Sequence, residues 1–226
     1  MAELADEVEV AYPQQPHCPT QLLLDTSGSM NGPKIAALNT GLRAFLRATA
    51  DDALAAKRVD LSLLTFGGGV TVSHDFAPVT AYEPEITLSA QGDTPMGAAL
   101  RHGLERLEAR KAAYRRQGTD YYRPWLMLIT DGEPTDMRVG DASWQQVTEA
   151  LRAGVRDRRF AFFAVGVEGA NLERLRQLCP EDRPPLALKG LAFTELFVWL
   201  SHSQRMVSSS KTGDTVQLPP VDWGAV

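Results

Sequence analysis

The sequence predicts an α/β fold: a doubly wound, mainly parallel six-stranded sheet with one antiparallel edge strand and helices on both faces. Three observations carry that expectation. Short apolar runs of strand length alternate with amphipathic helical patterns along the 226 residues. Gly67-Gly68-Gly69 joins two strand-like runs, the mark of a hairpin, so one pair of strands is antiparallel. Two apolar runs end in an aspartate, Asp25 and Asp131, and sites in such sheets lie beyond the carboxyl ends of the strands.

Residues 1–18 carry prolines without a clear period and read as an N-terminal arm, with one short strand near Val8–Tyr12. The domain proper is placed at 19–207. Gln21–Asp25 is a buried strand running into a Ser/Gly turn. Pro33–Thr49 is a helix: Pro33 suits the first helical position, and Ile35, Leu38, Leu42, Phe45 and Leu46 recur on one face. Arg58–Phe66 and Val70–Phe76 are the hairpin strands, and Thr80–Asp93 is mostly loop. Met96–Arg116 is the longest helical pattern, with Met96, Leu100, Leu104 and Leu107 on its apolar face. Glu105, Arg106, Glu108, Arg110 and Lys111 are expected on a solvated face. Arg123–Thr130 and Arg159–Val167 are buried strands flanking a helix at Ser143–Asp157, for which Ser143 is the expected N-cap. A short helix at Asn171–Leu178, a last strand at Leu186–Leu188 and a helix at Phe193–Met206 complete the domain. Residues 208–226 form a C-terminal tail too short to fold alone.

Composition bounds the function. The chain has 28 acidic and 23 basic residues, a net charge of −5, which argues against a nucleic-acid partner. No apolar run reaches the roughly 18 residues of a membrane span, and the acidic start lacks the apolar core of a secretory signal. A cytoplasmic location and no membrane partner are therefore expected. Cys18 and Cys179 are the only cysteines and read as buried reduced thiols.

The chemistry concentrates in three segments. Asp25-Thr26-Ser27-Gly28-Ser29 sets three oxygen-bearing side chains at alternate positions, which converge if the backbone turns tightly, and Gly28 is expected to permit that turn. One carboxylate and two hydroxyls suit a hard cation such as Mg²⁺ or Mn²⁺ better than zinc. Thr94 precedes a helix, where it is either an N-cap or a ligand. Asp131 ends a strand, where it is either a turn residue or a ligand.

Together these segments resemble the von Willebrand factor A domain and its metal-ion-dependent adhesion site, from about Pro19 to His202. The family pattern of D-x-S-x-S, a loop threonine and T-D-G is met at Asp25, Ser27, Ser29, Thr94 and Asp131. The resemblance implies a Rossmann-like fold and a bound Mg²⁺, with Mn²⁺ or Ca²⁺ as substitutes. Ser27 and Ser29 would bind the ion directly, Thr94 directly or through water, and Asp25 and Asp131 mostly through water. The open position would take an acidic side chain of a protein partner, without catalysis. Within the family, Leu22–Met30, Lys34–Asn39 and Thr130–Asp136 are similar to the bacterial TerY-like tellurite-resistance proteins. That likeness implies a cytoplasmic adaptor linked to a protein kinase and a phosphatase in a metal-stress system.

A magnesium-dependent phosphohydrolase with Asp25 as nucleophile is the rival reading; it expects D-x-D, and Ser27 stands at the second acid. The four histidines are scattered, without ligand spacing. Glu133 and Asp136 are read as a partner-selecting rim or a solvated loop. Arg152, Arg156, Arg158 and Arg159 are read as a helix-end surface or a phosphoprotein contact. Trp125, Trp144 and Trp199 are core candidates, and Trp223 an exposed aromatic anchor.

Overall fold

The computed structural model describes residues 9–83 and 85–225. Strands β1 (Cys18–Asp25), β2 (Val59–Phe66), β3 (Val70–Pro78), β4 (Trp125–Thr130), β5 (Ala161–Gly166) and β6 (Leu186–Leu188) form the six expected. A two-residue β7 (Gly224–Ala225) adds a seventh at the far edge. The order is β3-β2-β1-β4-β5-β6-β7. Every pair from β2 through β6 is parallel, while β3 and β7 run antiparallel at the two edges. The chain winds outward from β1 to β2 and β3, then restarts at β4 beside β1. That reversal places the crevice of a doubly wound sheet between the ends of β1 and β4.

Alternation along the central strands divides the core into two layers. Leu22 and Leu24 of β1 and Met127 and Ile129 of β4 point to one face. There they meet α1 (Pro33–Ala50), the short α2 (Ala55–Arg58) and α6 (Phe193–Ser209). Leu23, Leu126 and Leu128 point to the other face, against α3 (Met96–Gln117), α4 (Ala142–Arg156) and α5 (Leu172–Leu178). This is why the central strands read as unbroken apolar runs: a period-2 strand covered on both faces shows no alternation in sequence. At Gly41 a β-carbon would stand 2.8 Å from the Phe193 carbonyl oxygen, so this glycine sets the close approach of α1 and α6. Both cysteines are buried and free, as expected; burial pushes the Cys179 thiol up to about 12.

Four local expectations are corrected. Asp141, not Ser143, caps α4, its carboxylate accepting from the Trp144 N–H. Of the strand expected near Val8–Tyr12, Val8 lies outside the described residues, and 9–12 form no strand. Val10 instead packs with Ala113 and Tyr114 of α3. Arg110 and Lys111 are not on a solvated face. Arg110 is 2% exposed and pairs with buried Asp60 at 2.5 Å, while Tyr114 donates to the same carboxylate oxygen. Trp223 is not an exposed anchor. It is 3% exposed and packs edge-on against Trp199, whose indole N–H donates to the Pro219 carbonyl. The tail thus folds back on the domain, a result of tertiary packing that its proline-rich sequence does not announce.

Candidate metal centre

β1 delivers Asp25 to the carboxyl edge of the sheet with no solvent exposure. The chain then makes a 3₁₀ turn, Gly28–Met30, anchored by the wholly buried Met30. The turn folds Ser27 and Ser29 back toward Asp25. The Ser27 N–H donates to Asp25 Oδ1 at 2.8 Å, and the two serine hydroxyls lie 3.0 Å apart. Gly28 opens the tight turn, as expected, without a left-handed conformation, and its backbone N–H donates to the Gly92 carbonyl at 2.9 Å.

Three loops lock to one another around this turn. The Gln91 N–H reaches the Thr26 carbonyl at 2.7 Å, and the Gly68 N–H reaches the Asp93 carbonyl at 2.9 Å. The spacing demands glycine at two points. A β-carbon on Gly67 would stand 2.1 Å from the Thr26 carbonyl oxygen, and one on Gly92, at φ +69°, 2.5 Å from Gly68 Cα. The three-glycine hairpin link is therefore part of the site's frame as well as a turn.

This frame presents Thr94, 6% exposed, opposite Asp25. Its carbonyl accepts from the Met96 and Thr135 N–H groups, which fixes the loop between α3 and the segment after β4. The cap residue of α3 is Pro95 and no side chain bonds from it; Asp136 instead accepts from the Gly97 and Ala98 N–H groups. Thr94 is thus not an N-cap, and its hydroxyl is left for the site. A point one β-carbon out from Gly132 lies 3.2 Å from Thr94 Oγ1 and 3.6 Å from Asp25 Oδ2, which shows how closely these two groups approach.

Asp131 closes the ring from β4. Its Oδ1 accepts from the Ser29 hydroxyl at 2.7 Å, and its Oδ2 accepts from the Lys34 ammonium at 2.5 Å. Burial raises the Asp25 carboxyl above the usual carboxylate range, against the lowering effect of hydrogen bonds from Ser27 and Thr130, and the Asp131 charge adds to the rise. All five predicted residues are therefore gathered at the crevice between β1 and β4.

Two carboxylates, three hydroxyls and a site that holds negative charge at a cost fit a hard divalent cation. Among the described residues no group of three or more His, Cys, Asp and Glu side chains gathers, so a nitrogen- or sulfur-rich centre has no donors.

The von Willebrand factor type A domain family model matches residues 21–195. The chain belongs to the von Willebrand factor type A family. Among curated proteins, none matches its sequence. Solved structures share its fold at low identity. The pilus adhesin SpaC of Lactobacillus rhamnosus GG aligns with TM-score 0.63 and 16% identity over 85% of this chain and 30% of its own. The manganese-loaded TRAP protein of Plasmodium vivax gives 0.52 and 18% over 80% and 73%. A mussel byssus protein, proximal thread matrix protein 1, with a zinc-occupied MIDAS motif gives 0.52 and 13% over 84% and 48%. The chain thus spans less than a third of the bacterial adhesin and about half of the mussel protein. Of these neighbours, the TRAP protein is manganese-loaded and the mussel protein has its MIDAS motif occupied by zinc.

Lys34 is the residue of this type A domain that sequence reading missed as part of the site. Its position one residue into α1, after Pro33, brings its ammonium over the turn to Asp131. The signal was present as a cation five residues beyond the D-x-S-x-S run. Glu133 and Asp136 are both exposed beside the site; Asp136 caps α3, and Glu133 is paired with Arg174 at 2.9 Å and bonded by Asn171.

Proposed function

We propose that this type A domain is a metal-dependent docking module that binds an acidic side chain of a protein partner and performs no chemistry on it. The observation that carries the reading is the composition of the gathered site: hydroxyls of Ser27, Ser29 and Thr94 with Asp25 and Asp131, the latter already half-neutralised by Lys34. A bound Mg²⁺, or Mn²⁺ or Ca²⁺ in its place, would offer an open coordination position to a carboxylate. Ser27, Ser29 and Thr94 would supply neutral oxygens, and Asp25 and Asp131 would orient water and balance charge. With few anionic donors of its own, such a site gains from an external acid.

The phosphohydrolase reading is disfavoured by the state of Asp25. Its two carboxylate oxygens accept from Ser27 and Thr130, and the residue has no solvent exposure. A nucleophile needs a free, approachable oxygen.

The finer assignment rests on the Leu22–Met30, Lys34–Asn39 and Thr130–Asp136 motifs. They support a cytoplasmic TerY-like adaptor in a tellurite or metal-stress system, with a protein kinase and a phosphatase as partners. Among the described residues no helix is long and apolar enough to cross a membrane.

Calorimetric titration of Mg²⁺ and Mn²⁺ into the full chain tests the site: one ion is expected to bind, and Asp25→Ala and Thr94→Ala to weaken it. Affinity capture in Mg²⁺ against EDTA tests the partner: a protein lost both in EDTA and with Asp25→Ala is expected. A kinase or phosphatase among the captured proteins supports the adaptor role. Undiminished metal binding by both variants would refute the site, and metal-dependent phosphatase turnover lost in Asp25→Ala would replace docking with catalysis.

A further inference from the structure

At the opposite end of the sheet, about 20 Å from the metal centre by the length of β4, four separate segments bring five arginines around one cleft. Arg123 comes from the entry to β4, Arg152 and Arg156 from the last turns of α4, Arg158 from the turn into β5, and Arg183 from the loop after α5. The cleft has a volume of about 380 Å³, and Asp182 is the only carboxylate lining it. In a chain with net charge −5, this concentration of cations is local and not compositional.

The ordinary explanation is a helix C-terminus favouring cations. It accounts for one or two of them. The last carbonyls of α4 are already engaged: Val155 accepts from the Arg158 N–H and from Arg123, Gly154 from the Arg159 N–H, and Ala153 from the Asp157 N–H. Among the described residues, Arg156 pairs with Asp157 at 3.3 Å, but Arg123, Arg152, Arg158 and Arg183 have no carboxylate within 4.0 Å.

Two details show that the arrangement is held against a cost. Arg158 sits at φ +56°, a left-handed conformation that glycine would adopt without strain. Arg123 has a buried Nε–H without a hydrogen-bond partner, while its Nη2 is held on the Val155 carbonyl at 2.8 Å. Burial, together with the charges of Arg183 and Arg158, disfavours its charged form. Arg183 is in turn laid over the Phe163 ring at 5.3 Å, which fixes its plane. Guanidinium groups fixed in this way and short of acids are arranged for an anion that each can grip with two N–H groups.

We infer that this arginine cleft is a second binding site, independent of the metal centre, that takes a compact doubly charged phosphoryl group. The chemistry is shared by a phosphorylated side chain of a partner protein and by free phosphate or pyrophosphate. The small volume of the cleft and the net negative charge of the chain as a whole do not suit an extended nucleic-acid strand, whose binding needs a continuous basic track.

The test uses the full chain in EDTA and low salt, so that its outcome is separate from that of the metal site. The probes are inorganic phosphate, pyrophosphate, a phosphoserine peptide, the same peptide unphosphorylated, and a short single-stranded RNA. The phosphate-bearing small probes or the phosphopeptide are expected to bind, and the unphosphorylated peptide not to. Whichever of the two classes binds more tightly identifies the source. Arg183→Gln and Arg152→Gln are expected to weaken binding by about tenfold each, the loss of one charge-assisted contact. Arg158→Gly separates function from fold: it removes a guanidinium and relieves strain, so the melting temperature should hold or rise while affinity falls. Equal binding of both peptides, RNA bound more tightly than the phosphopeptide, no binding of any phosphate probe at millimolar concentration, or unchanged affinity in Arg158→Gly would each overturn the inference.

Discussion

Replacing Asp25 by Asn separates the metal site from the fold around it. The Asp25 Oδ1 accepts from the Ser27 N–H at 2.8 Å, which an Asn carbonyl reproduces. Its Oδ2 accepts from the Thr130 hydroxyl at 2.5 Å. An Asn amide would reverse that bond by donating to Thr130 Oγ1, and the freed hydroxyl proton has the Gly132 carbonyl 3.4 Å away. Shape and hydrogen bonds survive, while a buried charge, which Asp131 also opposes, is removed. In EDTA the variant should therefore melt at or above the wild type. In the wild type, metal at about 100 times its Kd adds about 2.7 kcal/mol. For a chain of this length that raises the melting temperature by about 5–10 °C. Asp25→Asn should lose nearly all of that rise, and scanning calorimetry at matched EDTA and Mg²⁺ concentrations reads both arms. A full magnesium shift in the variant would show that Asp25 takes no part in metal binding. A variant that melts far below the wild type in EDTA would refute the reversed hydrogen bond.

Two further predictions concern charges that the sequence presents as ordinary. Lys34→Met removes the ammonium 2.5 Å from Asp131, so Mg²⁺ or Mn²⁺ should bind more tightly by about 1–2 kcal/mol, or about 5- to 30-fold; unchanged affinity by calorimetric titration would show that Lys34 does not oppose the ion. Arg110→Ala strands Asp60, whose carboxyl is raised by burial but held below its usual range overall by His17, Arg110 and Tyr114. Breaking a buried pair costs about 3–5 kcal/mol, and the melting temperature should fall by about 6–20 °C. Because the folded-state value is depressed, the stability it contributes is present above the unfolded carboxylate value and is lost as pH falls through the folded one. The wild type should lose stability on acidification over that window more steeply than Arg110→Ala, and parallel acid-unfolding curves would contradict the assignment.

What was legible in the sequence follows from what is local. The strands β1, β4 and β5 are short, apolar and covered on both faces, so runs such as Leu22-Leu23-Leu24 announce them without knowledge of their partners. The gathering of the candidate metal site was legible because its residues lie at strand ends and in one tight turn, where residue type and position carry the chemistry together. The misplaced features depend on distant partners. Arg110 reads as surface because its neighbours on α3 are charged, and only Asp60, on a strand packed beneath it, makes it a buried ion. Asp136 reads as a rim or solvated-loop acid, and its further duty of capping α3 is hidden because the N–H groups it accepts from lie 38 and 39 residues away along the chain. Trp223 reads as loose because Trp199, within α6, and β6, before it, hold it from more than 20 residues back along the chain.

The Lys34–Asp131 pair also bears on why docking, in the proposed reading, should be conditional. Asp25, Asp131 and Lys34 together carry a formal charge of −1 when both carboxylates are ionised, and the hydroxyls add none. A partner's carboxylate approaching that site meets repulsion. Adding a divalent ion brings the sum to +1, so the same approach becomes attractive, and the change of two charges falls within one small crevice. Without Lys34 the loaded site would be neutral, and an external acid would gain only what coordination itself provides. The lysine therefore weakens the hold on the ion and strengthens the loaded site's appeal to an acid. In Lys34→Met the two effects should separate: metal is retained at lower concentration, while the acidic partner is held less well at saturating metal. A variant that gained on both counts would show that the charge balance around Asp131 does not govern docking.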